Sequence, residues 1–146
     1  MVLLFLVGGA GQASAQTSAH GQESQASLYK RLGGYDALAA VTDEFVGRLV
    51  SDKQLTRFFN GVSTDSRKRI RQLVLDQLCA ATGGPCIYIG RSMRTTHEGL
   101  GITEDDWKIS VKLLTETLDK FKVPKPEQDE LAKLLTTLKP DIVDKK

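Results

Sequence analysis

Apolar residues recur at helical spacing in four stretches of this chain, with glycine pairs and prolines punctuating them. Leu38, Val41, Phe45 and Leu49 form the first stripe, after the break at Gly33-Gly34 and a short amphipathic piece, Leu28 to Leu32. Ile70, Leu73, Val74 and Leu78 form the second, which stops at Thr82-Gly83-Gly84-Pro85. Trp107, Val111, Leu114, Leu118 and Phe121 form the third. Thr103 precedes it as a helix cap with Glu104, Asp105 and Asp106 in the first turn, and Val123-Pro124-Lys125-Pro126 ends it. The fourth runs through Leu131, Leu134, Leu135, Leu138 and Ile142. No stretch alternates at strand period. Each helix has one apolar face to bury and none can bury it alone, so the expectation is one compact all-α domain.

Length and charge are consistent with that. A chain of 146 residues can bury a real core in one domain. Twenty basic and 18 acidic side chains leave a net charge of +2, which gives no argument for nucleic acid or an acidic membrane as the main partner. The basic cluster Arg67, Lys68, Arg69 and Arg71 reads either as a solvated helix face or as contact with an anionic group on a ligand.

The N-terminus differs from the rest. Met1 to Gly11 is apolar and small, and Ala13-Ser14-Ala15 fits a small-x-small cleavage rule ahead of Gln16. Residues 1–15 are therefore expected to be a secretory signal peptide, although no Lys or Arg precedes the apolar run. Residues 16–26 are expected to be a disordered polar linker, and residues 27–146 the folded domain. Export, with a periplasmic destination, follows as an expectation. The apolar run is too short to span a bilayer comfortably, so no stable membrane insertion is expected once the signal is removed. Cys79 and Cys86 flank Gly83-Gly84-Pro85. In an exported protein they invite a disulfide; in a cytosolic one they are two small buried hydrophobes, and the sequence leaves both open. No Cys-x-x-Cys-His occurs to attach haem covalently.

One histidine, His97, lies beyond the linker; His20 is inside it. A lone histidine cannot complete a zinc site without further ligands, and none stands at suitable spacing around it. Haem is less demanding, because the porphyrin supplies four nitrogens and one axial imidazole suffices.

Around His97 stands an ordered set of short motifs: Leu28-Tyr29-Lys30-Arg31-Leu32-Gly33-Gly34, Phe58-Phe59-Asn60-Gly61, Gly83-Gly84-Pro85, Tyr88-Ile89-Gly90-Arg91-Ser92-Met93, and His97-Glu98-Gly99-Leu100-Gly101-Ile102-Thr103. From about Ser27 to Val143 this resembles a truncated haemoglobin of the first group. The resemblance implies a two-over-two helical sandwich around haem b. In that fold His97 would ligate the iron, Phe59 would pack on the porphyrin near the interhelical corner, and Met93 and Trp107 would touch its proximal face. Phe45, Val46, Ile70, Leu73, Val74 and Leu78 would line the ligand side. Arg69, Arg71, Arg94 and Thr96 are candidates for the propionate rim.

The chain departs from its relatives on the distal side. Many carry Tyr after the phenylalanine that corresponds to Phe45, where its hydroxyl bonds oxygen; here Val46 stands there. Ile70, Leu73 and Val74 on the facing helix cannot donate either. Leu73 also replaces a histidine that some relatives use as a second axial ligand. Gln77, one turn beyond Val74, is the nearest candidate donor. The implied function is reversible binding of O2, NO or CO at a five-coordinate ferrous iron held by His97. Two other readings are a haem enzyme that consumes NO or peroxide with an external reductase, and a haem-free helical interaction domain.

Overall fold

The computed structural model describes residues 26–145. The expected signal peptide and all of the expected linker except Ala26 lie outside those residues. Ala26 accepts a hydrogen bond from Arg31 Nε through its carbonyl, at 3.2 Å, and so belongs to the folded unit.

The described chain is helical, with no strand among the described residues. Helix α1 is Leu28–Arg31 and α2 is Gly34–Ser51, followed by a 3-10 corner helix, Leu55–Phe59. Then come α3, Thr64–Ala81; α4, Met93–His97; α5, Glu104–Lys120; α6, Lys125–Thr136; and α7, Lys139–Ile142. Helix α2 packs on both α3 and α5, α6 closes on α5 and α1, and α4 rests on α7.

Local chemistry sets the boundaries. Gly33 turns the chain into α2 at φ +95, where a Cβ would also lie 2.9 Å from that of Ala37. Ser63 caps α3 by accepting from Ser66 N at 3.2 Å, with Asp65 in the first turn. The helix ends where Gly84 runs tight against Cys79 and Tyr29: a Cβ there would sit 2.7 Å from Cys79 Sγ and 2.6 Å from the Tyr29 ring. Thr103 and Asp106 form a reciprocal capping box on α5.

Two buried clusters hold the helices together. Leu28, Val41, Leu78, Leu114, Leu118 and Leu131 form the larger one, with Phe45 and Val74 packed against it. Leu38, Leu75 and Cys79 form the smaller, joined by Tyr29 and Leu32. Burying a leucine fully contributes roughly 1.5–3 kcal/mol.

Three expected stripes come out differently. The α3 residues buried most completely are Leu75 and Cys79, which lie on the face opposite Ile70, Leu73 and Val74. Those three stay half-exposed. The fourth stripe is not one helix: α6 ends at Thr136 and α7 begins at Lys139. Pro140 has no N–H to give the Thr136 carbonyl and its ring crowds that oxygen, so the helix cannot run through. Val111 and Phe121, expected on a buried stripe, are 39% and 40% exposed. The alternatives left open for the cysteines close on a disulfide, Cys79–Cys86, with Cα atoms 5.7 Å apart.

Candidate functional site

His97 is the last residue of α4, a five-residue helix capped by Ser92, whose hydroxyl accepts from Thr95 N at 3.1 Å. The imidazole Nδ1 lies 2.7 Å from the Met93 carbonyl oxygen, one turn back. A carbonyl can only accept, so Nδ1 carries the proton and the lone pair sits on Nε2. The ring is half-buried, and Nε2 makes no hydrogen bond among the described residues. No residue of α4 is fully buried, and an ion pair from Arg94 to Asp141 ties the helix to α7.

A partly covered apolar face lies elsewhere in the fold. On α3, Ile70, Leu73, Val74 and Gln77 share one face at i, i+3, i+4 and i+7, each half-exposed. This face lies away from the side consumed by Leu75 and Cys79, so the helix has a second apolar stripe that protein packing covers only partly. Phe45 on α2 and Val74 pack against the same core cluster; Val46, next to Phe45, is buried. The Gln77 side chain makes no hydrogen bond among the described residues. Gln72, off the stripe, is engaged: its Nε2 donates to Asp76 Oδ1 at 2.9 Å and to the Tyr35 hydroxyl at 3.2 Å.

Phe59 closes the corner helix, half-buried. Asp52 caps that helix by accepting from Gln54 N and Leu55 N, at 2.8 and 3.0 Å. The corner is also tied to the start of α5, where half-buried Trp107 follows Asp106: Gln54 Nε2 and Arg57 Nη2 donate to Asp106, at 2.7 and 2.6 Å. Burial alone would push the Asp106 carboxyl up. The Arg57 guanidinium, the Gln54 amide and the Thr103 donors outweigh it and hold the group well below the usual carboxylate range.

Of the rim candidates, Arg71 is committed to a two-pronged pair with Asp43, at 2.6 and 3.0 Å, which lowers the Asp43 carboxyl's pKa. Arg94 is held by Asp141, Thr96 stands exposed, and Arg69 is exposed with no ion pair among the described residues. The structure thus joins Met93 to His97, sets Phe45 and Val74 against one core cluster, and, through Asp106, ties the corner bearing Phe59 to the helix bearing Trp107. Sequence reasoning missed Arg57 and Gln54. The one signal was Asp106 itself, an acid at the third position of a capped helix, which reveals its own cap and not its distant partners.

These residues fit a haem. A tautomer-fixed imidazole offers Nε2, an apolar helix face is left partly uncovered, and an aromatic residue stands at the corner.

The bacterial-like globin family model matches residues 27–144. A group 1 truncated hemoglobin of Mycolicibacterium paratuberculosis is 33% identical over 117 residues, covering 80% of this chain and 84% of that one. Among solved structures, a point mutant of the truncated hemoglobin of Tetrahymena pyriformis in its Fe(III) form superposes with a TM-score of 0.75 at 25% identity, covering 82% of this chain and 100% of that one. The 2/2 hemoglobin of a Synechococcus species, solved in the cyanomet state with covalently attached heme, gives 0.74 at 28% identity, with the same coverage.

Proposed function

The chain belongs to the bacterial-like globin family, as a group 1 truncated haemoglobin of two-over-two fold, and from that premise we propose that it holds haem b through His97 and binds a diatomic gas reversibly. Haem-based gas binding is the activity the family suggests. Haem b, when bound, would supply the iron at which a gas binds, with His97 as the residue that would hold it.

The observation that carries the reading is the bond between His97 Nδ1 and the Met93 carbonyl. It orients the ring and selects the tautomer whose Nε2 can ligate. Phe59, Met93 and Trp107 offer contact to the porphyrin. Phe45, Val46, Ile70, Leu73 and Val74 keep water from the ligand side. Val46 cannot donate a hydrogen bond, and Gln77 is the amide left available for a polar ligand.

Export is part of the same proposal. Ala13-Ser14-Ala15 marks the cleavage site, and the Cys79–Cys86 disulfide supports an oxidising compartment. Among the described residues no helix is long and apolar enough to cross a membrane.

Stopped-flow and flash photolysis on the ferrous protein with O2, CO and NO test the function. Reversible binding of all three is expected. Sustained NO consumption over many turnovers with an external reductase would instead make the protein an enzyme, and a purified chain without a Soret band would remove haem altogether.

A further inference from the structure

Asp106 does more than cap a helix. It is 1% exposed, and its two oxygens accept from Thr103 N and Thr103 Oγ1, both at 2.8 Å, and from Gln54 Nε2 and Arg57 Nη2. The Thr103 bonds complete the capping box; the other two reach a different element, roughly fifty residues back in the chain. Arg57 then lies over the Phe58 ring, 4.2 Å from its centroid, and also bonds the Gln54 carbonyl. One buried carboxylate therefore links the corner that ends in Phe59 to the turn that presents Trp107.

We propose that Asp106 and Arg57 form a positioning strut that fixes Phe59 and Trp107 against the haem and so sets how tightly the haem is retained. The inference rests on the haem reading above. Neither residue touches the haem; both act through the aromatic neighbours they hold. The corner helix has Leu55 as its one fully buried residue, so hydrophobic packing alone gives it a weak seat. A charge-assisted bond to a buried, four-fold bonded carboxylate supplies the missing rigidity.

Arg57→Met is the informative variant, because it removes the charge while leaving Thr103 to cap α5. Asp106→Asn, which keeps the carboxylate's shape, is the second. In the apoprotein, amide hydrogen exchange across residues 55–59 should accelerate about tenfold in both, with far-UV circular dichroism unchanged. In the holoprotein, haem transfer to an apo-globin acceptor should be about tenfold faster. Combining Arg57→Met with Phe59→Ala should give less than the sum of the two effects, since both act on the Phe59 contact. Arg48→Met, which breaks ion pairs to Glu44 and Glu116 away from the corner, should leave haem transfer unchanged.

Unchanged exchange at 55–59 would overturn the strut, and so would additive effects of Arg57→Met and Phe59→Ala. A wild-type chain that takes up no haem would overturn the underlying reading, and the apoprotein exchange result would still decide whether Asp106 holds the corner.

Discussion

The two walls facing the proposed haem site are built in opposite ways. The α3 wall is anchored from behind: Leu75 and Cys79 are wholly buried against α2 and the α1 region, and a disulfide joins the helix's last turns to the loop that follows. The α4 wall is five residues long, has no fully buried side chain, and leans on α7 through Arg94 and Asp141. A rigid surface on one side and a lightly held imidazole on the other suit a site completed by its ligand. On the proposed reading, packing is concentrated on the wall that would shape the haem cavity, and the wall that would ligate is left free to settle on the metal.

Breaking the firm wall should have the largest effect. Leu75→Ala removes a side chain with no exposure, and should cost about 2–5 kcal/mol of apoprotein stability in urea unfolding. A cost under about 1 kcal/mol would mean that α3 is not anchored there. Cys86→Ala releases the covalent staple while leaving Cys79 in place. Chain-entropy arguments for so short a loop put the loss at about 2 kcal/mol, measured against the oxidised protein.

The helix α5 cap, the break at Gly83-Gly84 and the start of α2 were all legible in the sequence, because each is set by residues within a turn of one another. What escaped depends on distance along the chain. Ile70 and Leu75 are equally apolar, and only the placement of α2 decides which face of α3 is consumed. Arg57 reads as an ordinary surface cation until the fold brings Asp106 beside it. Pro140 was visible, but the run Leu134, Leu135, Leu138, Ile142 kept helical phase across it, and phase alone could not reveal the interruption between α6 and α7. Of the site, His97 stood out by its surroundings; that a carbonyl would orient it follows from imidazole chemistry, but which carbonyl, that of Met93, side-chain patterns do not reveal.

Smaller effects sharpen the contrast. Val46→Tyr would add a donor from α2 to the apolar ligand side, and a hydrogen bond to a polarised ligand in a dry pocket is worth roughly 1.5–3 kcal/mol. O2 release should slow by about tenfold or more, while CO release changes little, because bound CO carries less negative charge on its outer atom. Gln77→Leu serves as the counter-test: a strong acceleration of O2 release there, with no effect of Val46→Tyr, would move the donor to α3. On the other wall, Arg94→Ala removes an exposed pair and should cost under about 1 kcal/mol of apoprotein stability. Amide exchange in residues 93–97 should rise, and added haem should suppress the difference.

The decisive measurement is the absorption spectrum of the ferrous, gas-free protein with His97 replaced by Gly. Haem should fail to stay bound, and added imidazole, free to take the vacated axial position, should restore both haem content and the wild-type ferrous spectrum. Full haem content and an unchanged ferrous spectrum in His97→Gly without imidazole would show that another residue holds the iron.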